Sequence, residues 1–150
     1  MEILNKQFVY TKTKFKTMDE IFSFAAKQLY EKGRTTEVDA VIRGFEDRES
    51  GYSTYAENGV AIPHCKITQV KQATVMILQN SSKVAWTDAD EYADLIILLA
   101  VPGEGHNDLH LKMLAKIAQK LVNEEFIQRL KSLSKADDIV EAFADIKEVR

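Results

Sequence analysis

Hydrophobic positions recur with a helical period at both ends of this 150-residue chain. Apolar side chains appear every three or four positions in residues 21–29, 38–45, 111–121, 126–130 and 139–143, which predicts five amphipathic helices. Candidate N-caps precede them: Thr17 with Glu20 in capping-box spacing, then Thr36, Asn107 or Asp108, Asn123 and Ser134. The second helix is expected to fray near residues 48–50, and the third to present Leu111, Leu114, Ala118 and Leu121 along one side.

In the middle of the chain the hydrophobic residues no longer recur with a helical period. Residues 73–79 and 94–101 are compact aliphatic runs, typical of central strands that are buried on both faces. Residues 60–62 predict a short strand, and residues 83–86 an edge strand or hairpin arm. Helices, then strands, then helices predict a single α/β domain over residues 1–150: a mixed central β-sheet of about five strands with helices on both faces.

Composition narrows the class of protein. With 45% hydrophobic and 29% charged residues, the chain has the balance of a soluble globular domain. A net charge of −3 gives no electrostatic reason to expect a nucleic-acid partner. The longest apolar run, residues 95–101, is too short to cross a bilayer, and the first ten residues have no signal-like core, so a cytoplasmic protein is expected. The single cysteine, Cys65, excludes an intramolecular disulfide.

Histidine is the residue type that most favours chemistry here, and the chain has three: His64, His106 and His110. Because His64 follows a short strand and Pro63, it is expected on a loop held by rigid structure, as base, ligand or nucleophile. His110 falls in the first turn of the helix after the longest strand, where a helix N-terminus favours an anion. The two are therefore expected at one end of the same sheet.

Several segments in the same order resemble one known family. Gly59-Val-Ala-Ile-Pro-His64 is similar to the phosphorylation-site segment of the fructose/mannitol-type enzyme IIA of the bacterial sugar phosphotransferase system. Asn107-Asp-Leu-His-Leu-Lys-Met-Leu-Ala-Lys-Ile-Ala118 resembles its second signature, a histidine-leucine pair that opens an amphipathic helix. Trp86 followed by Asp94-Leu-Ile-Ile-Leu-Leu-Ala-Val-Pro102 resembles the strand before that helix. Arg48 and Thr54 fall on an arginine and a Ser/Thr position upstream of the histidine.

The resemblance implies a function and a role for each of these residues. His64 would accept a phosphoryl group from the phosphocarrier protein HPr and pass it to an enzyme IIB domain, and through it serve the IIC permease. His110 would stabilise the phosphoryl group, Arg48 would supply a permanent positive charge, and Thr54 a hydroxyl donor to a phosphoryl oxygen or to the ring. No cofactor and no metal is implied. The alternative is a regulatory, nitrogen-type module of the same fold, in which phosphorylation controls a partner protein.

Other interpretations of these residues remain open. His106 and His110 are four positions apart and could bind a metal with His64 or Cys65, although no glutamate lies between them as in zinc proteases. Cys65 as a nucleophile is disfavoured because neighbours on an extended chain point in opposite directions. Arg48 could simply pair with Glu46 or Glu49 at the surface. Neither the transported sugar nor the oligomeric state follows from the sequence.

Overall fold

A computed structural model describes residues 3–103 and 109–144 of the protein, with Leu109 and His110 described by their backbone only. After a 3-10 turn at Lys6–Phe8, the elements are β1 (Val9–Thr13), α1 (Met18–Glu31), α2 (Val38–Gly51), β2 (Val60–Ala61), β3 (His64–Ile67), β4 (Thr74–Ala85), β5 (Tyr92–Pro102), α3 (Leu109–Leu121), α4 (Glu124–Ser132) and α5 (Ala136–Ala142). This arrangement confirms the α/β class and the mixed five-stranded sheet.

The sheet is built around the two long strands β4 and β5, which pair antiparallel. Strand β1 adds in parallel to β4, while β2 and β3 both add in parallel to β5 along its other edge. Of the two alternatives for residues 83–86, the hairpin arm is confirmed and the edge strand is wrong: residues 83–85 are the far end of β4, beyond an irregularity between Gln79 and Val84, and pair antiparallel with the start of β5. Strand β1 was not predicted, since its sequence Val-Tyr-Thr-Lys-Thr has little apolar character.

Each face of the sheet is covered by its own hydrophobic core. Strand residues alternate between the faces, so Met76, Leu78 and Ile96 pack with α1 and α2, whereas Ile77 and Ile97 pack with α3, α4 and α5. Full burial of one such aliphatic side chain stabilises a fold by about 1.5–3 kcal/mol, so these strands anchor both helical layers. The expectation of helices on both faces is confirmed.

Two of the predicted helix caps are confirmed. The Thr17 hydroxyl accepts a hydrogen bond from the Glu20 amide at 3.1 Å and begins α1, and the Asn123 side chain accepts from the amides that begin α4. The predicted caps Thr36 and Ser134 are wrong. Helices α2 and α5 begin after Glu37 and Lys135, and neither of these two residues makes a side-chain cap hydrogen bond. The candidates Asn107 and Asp108 lie outside the described residues.

Two helical predictions needed correction in register or length. On α3 the buried positions are Met113, Ile117 and Leu121, while Leu111 is 58% exposed and Ala118 is exposed, so the helix is rotated from the predicted stripe. Helix α2 does not fray at residues 48–50 but continues to Gly51. Side-chain hydrogen bonds stabilise this last turn: Arg48 donates to the carbonyl of Tyr52 and Ser50 to that of Asp47.

His64 is the first residue of strand β3 and not a loop residue, which corrects the prediction. Strands β2 and β3 are two short segments at one sheet edge, separated by Ile62 and Pro63: Val60 lies opposite Leu95 of β5, and His64 opposite Leu99. Within residues 3–103 and 109–144, no helix has the length and apolar character that a membrane crossing requires.

Candidate functional site

His64 lies at the open edge of the sheet. The carbonyl of Pro63 accepts a hydrogen bond from the Leu99 amide at 3.0 Å, which fixes the start of β3 against β5. Cys65 packs in the α1/α2 core, whereas the His64 ring contacts Arg48 of α2 and the carbonyl of Ile62. The imidazole is partly buried, so it is held by its surroundings while remaining reachable from solvent.

The two ring nitrogens of His64 have neighbours of opposite kind. Nδ1 lies 3.0 Å from the carbonyl oxygen of Ile62, and Nε2 lies 3.0 Å from Nε of Arg48. A carbonyl can only accept and a guanidinium can only donate, so the proton is assigned to Nδ1 and the lone pair to Nε2. The site therefore selects the neutral tautomer that is nucleophilic at Nε2.

Arg48 reaches His64 from helix α2. It lies in the last turn of α2, where its Nη1 donates to the Tyr52 carbonyl at 2.7 Å while its Nε donates to His64. The guanidinium is thus held at two points beside the imidazole. The alternative of a surface pair with Glu49 is not what the structure has, since Glu49 binds Thr54 instead.

Thr54 is placed differently from the prediction. It is 8% exposed, and its hydroxyl donates to Glu49 Oε1 at 2.6 Å and accepts from Trp86 Nε1 at 3.3 Å. A hydroxyl has one proton, and here that proton is directed at a carboxylate and not at the His64 ring, while donation to a phosphoryl oxygen stays a prediction. Trp86 is a packing residue, buried edge-on against Phe22.

Glu49 is the residue that sequence reasoning missed. Its carboxylate accepts from both the amide and the hydroxyl of Thr54, each at 2.6 Å. A carboxylate in the last turn of a helix opposes the helix dipole, which is a weak sequence signal for a tertiary role. Glu46 and Asp47 are on the same stretch of helix, so this signal alone could not have singled out Glu49.

The two remaining histidines are not tested. His106 lies outside the described residues, and His110 is described only as backbone in the first turn of α3. Helix α3 follows β5, whose residues Leu99–Pro102 pair with β3. The role of His110 in holding a phosphoryl group stays a prediction.

A cavity of about 360 Å³ opens beside the imidazole, lined by Gly44, Asp47, Arg48, His64, Cys65, Lys66 and Ile67. Burial raises the pKa of the Cys65 thiol to about 12, so the thiol is a poor nucleophile at neutral pH. Among the described residues, no three His, Cys, Asp or Glu side chains converge as metal ligands. A guanidinium 3.0 Å from Nε2 would also repel a cation at this nitrogen.

Comparisons with known proteins identify the family. Residues 2–146 match the family described as phosphoenolpyruvate-dependent sugar phosphotransferase system, EIIA 2, so the chain is a phosphotransferase component. The chain belongs to this EIIA family, and the resemblance noted in the sequence is confirmed.

Relatives match over most of the chain. A mannitol-specific phosphotransferase enzyme IIA component from Staphylococcus aureus is 29% identical over 147 residues, which covers 96% of both chains. A 2-O-alpha-mannosyl-D-glycerate-specific EIIABC component from Escherichia coli is 26% identical over 88% of this chain, but the chain spans only 20% of that protein.

Solved structures show the same fold. Nitrogen regulatory protein IIA-Ntr from Neisseria meningitidis superimposes with a TM-score of 0.84 at 27% identity, covering 93% of this chain and 95% of that one. Enzyme IIAMTL from Escherichia coli, solved in complex with phosphorylated enzyme IIBMTL, gives a TM-score of 0.80 at 25% identity and covers 95% of this chain and 97% of that one.

Proposed function

We propose that the protein is a cytoplasmic phosphoryl carrier in which Nε2 of His64 accepts a phosphoryl group from phospho-HPr and delivers it to an enzyme IIB domain. The observation that carries the assignment is the pair of contacts on one ring: a carbonyl acceptor at Nδ1 and a guanidinium donor at Nε2. Together they favour an unprotonated, oriented Nε2, which is what an attack on phosphorus requires.

The transfer step follows from these contacts. The Nε2 lone pair attacks phosphorus, a new P–N bond forms, and the electron pair of the old P–N bond stays on the HPr imidazole. Positive charge then develops on the His64 ring, and the Ile62 carbonyl stabilises it by accepting from Nδ1–H. In delivery, a nucleophilic side chain of enzyme IIB attacks phosphorus and forms a new bond to it, while the electron pair of the P–N bond returns to Nε2.

Arg48 has two successive tasks in this scheme. Before transfer, its Nε–H directs the Nε2 lone pair. Once Nε2 bears the phosphoryl group, it has no lone pair to accept this bond, so the guanidinium is free to donate to the phosphoryl oxygens. A planar, permanently charged fork suits these oxygens in both geometry and charge.

The proposed partners rest on the comparisons. Enzyme IIAMTL is solved with phosphorylated enzyme IIBMTL, and a multiphosphoryl transfer protein of Escherichia coli is 30% identical over 61% of this chain, which spans 11% of it. An EIIABC component among the relatives joins an EIIA region to IIB and IIC regions, which supports a route from this protein to a permease. These donors and acceptors also support a cytoplasmic location.

A regulatory module is the second candidate, favoured by the similarity to nitrogen regulatory protein IIA-Ntr at a TM-score of 0.84. Its labelling chemistry would be the same, so labelling alone does not separate the two. The separating measurement is reconstitution with the IIB domains of the host. Charging of at least one IIB supports the transport role, whereas charging of none supports the regulatory role.

Incubation with enzyme I, HPr and phosphoenolpyruvate tests the carrier itself. We expect one phosphoryl group per chain, labile in acid and stable in base, and no labelling of His64→Gln, with circular dichroism confirming that the variant is folded. Nitrogen NMR of the labelled protein should place phosphorus on Nε2. Full labelling of the variant would remove His64 from this role, and stoichiometric zinc in the purified protein would favour the metal alternative.

A further inference from the structure

We propose that Glu49 is a positioning residue for His64, which acts through Thr54 and Ile62 to keep the proton on Nδ1. The inference rests on the function proposed for His64, and it adds a residue that does not touch the phosphoryl group. It is carried by an unbroken series of hydrogen bonds from the end of α2 to the imidazole.

The first part of the series fixes Thr54. Both carboxylate oxygens of Glu49 are used, one by the Thr54 amide and one by the Thr54 hydroxyl, each at 2.6 Å. Trp86 donates its indole N–H to the same hydroxyl from within the core. Charge-assisted bonds of this length are stronger than bonds between neutral groups, so Thr54 is held firmly against the helix end.

The second part connects Thr54 to the imidazole. The carbonyl of Thr54 accepts from the Ile62 amide at 3.0 Å, and a bridge between Tyr55 and Ala61 continues this antiparallel contact. The carbonyl of Ile62 in turn accepts from Nδ1 of His64. Ile62 is therefore anchored just before the carbonyl that selects the tautomer, and the Pro63 carbonyl is anchored on β5 just after it.

Glu49 and Arg48 are consecutive residues with complementary effects on one ring. Arg48 donates directly to Nε2, while Glu49 secures the acceptor for Nδ1 through two intervening residues. Consecutive helix residues do not face one another, so each can serve its own nitrogen without neutralising the other. A single helix end thus determines both the position and the tautomer of His64.

Removal of the carboxylate should release the Thr54 segment and with it the Ile62 carbonyl. The preference for Nδ1–H then rests on Arg48 alone and weakens, and the Nε2–H tautomer that gains population is unreactive because its proton occupies the attacking nitrogen. If the competent fraction falls to about a tenth, the rate of phosphoryl acceptance falls about tenfold. The ring-nitrogen chemical shifts of unphosphorylated His64 should move from those of the Nδ1–H tautomer toward the average of the two neutral tautomers.

The test compares matched variants by nitrogen NMR of the histidine ring and by the rate of labelling from phospho-HPr. Glu49→Gln keeps the size of the side chain but replaces one acceptor by a donor, and Thr54→Val keeps the shape but removes the hydroxyl. Both should shift the tautomer and slow acceptance. Thr54→Ser retains both donors to Glu49, so its tautomer and its labelling rate should stay close to those of the wild type. Glu46→Gln, at an exposed position of the same helix, should change neither the tautomer nor the labelling rate.

Nδ1–H shifts of wild-type character in folded Glu49→Gln and Thr54→Val would overturn the proposal. Equal effects of Thr54→Ser and Thr54→Val would also overturn it, because the methyl group and not the hydroxyl would then matter. The NMR readout needs no phosphoryl donor, so it tests Glu49 even if His64 proves not to be the phosphorylated residue. Labelling of His64→Gln, in contrast, bears only on the proposed function.

Discussion

The two helical layers of this protein differ in what they bring to the edge of the sheet. The α1/α2 layer is aromatic: Phe45 stacks on Phe22 at 5.3 Å between ring centroids, and Phe22 meets Trp86 edge-on at 6.1 Å. The α3–α5 layer is mainly aliphatic, with buried residues such as Ile117 and Ile139. His64 lies at this edge, and Arg48, which contacts its ring, comes from the aromatic layer.

This difference shows how a site can be open and still well ordered. Because β3 is at the sheet edge, a partner can reach the imidazole without a channel. Arg48 and Glu49, which orient the ring, belong to α2, and Phe45 of α2 stacks on Phe22. Phe22 also packs against Trp86, which donates to the Thr54 hydroxyl. Order at the site therefore depends on packing in the α1/α2 layer.

The largest expected effect comes from Phe45→Ala, which breaks this aromatic packing. Loss of a buried phenyl ring should lower the free energy of unfolding by about 3–5 kcal/mol, measured by urea denaturation. Because Phe45 lies one turn before Arg48 and Glu49, the folded variant should also show altered His64 ring shifts. Ile139→Ala in the other layer should cost a comparable 2–5 kcal/mol and leave these shifts unchanged.

Unchanged ring-nitrogen chemical shifts of His64 in Phe45→Ala would contradict the claim that aromatic packing orders the site. The polar contacts of α2 would then be enough to hold it at the imidazole. Changed shifts in Ile139→Ala would contradict it in the other direction, because both layers would then determine the imidazole geometry.

Arg48→Ala should have the next largest effect. By analogy with removal of one donor from an oxyanion hole, phosphoryl acceptance should slow about 10²–10³-fold, or about 3 kcal/mol of barrier. Arg48→Lys keeps the charge but not the planar fork, so it should recover only part of the rate. The measurement is the rate of labelling from phospho-HPr, and Arg43→Ala, at an exposed position of α2, is the control. Equal rates for Arg48→Ala and Arg43→Ala would mean that the guanidinium contact has no catalytic value.

The sequence alone predicted the parts of the molecule whose signal is local. The aliphatic runs in β4 and β5 predicted these two strands, and the Thr17 cap predicted the start of α1. The association of Arg48 with His64 followed from resemblance, and the structure places the two in contact. The two strands and the cap need no knowledge of what lies elsewhere in the chain, whereas the Arg48–His64 contact does.

The missed parts depend on partners far along the chain. Strand β3 has the sequence His-Cys-Lys-Ile, which carries no clear strand period, and it forms because β5 offers an unpaired edge. The end of α2 is polar and was expected to fray, but its side chains bind the loop that follows. Thr54 was predicted to donate to the ring because a sequence does not show that Glu49 takes its proton first.

The smallest expected effect concerns Cys65, which lies beside His64 but faces the aromatic layer. Burial raises the pKa of its thiol from 9.0 to about 12, so between these values the folded state keeps a proton that the unfolded state loses. Stability should therefore fall as the pH rises through this window. Cys65→Ala removes the contribution, and its unfolding free energy should decline less than that of the wild type between pH 8 and 9.5, by about 1 kcal/mol or less. Urea denaturation of both proteins across this range makes the comparison, in which other titrating groups cancel. Parallel pH profiles would show that the thiol ionises equally well in the folded state, and thus that the contact between α2 and β3 is looser than the structure shows.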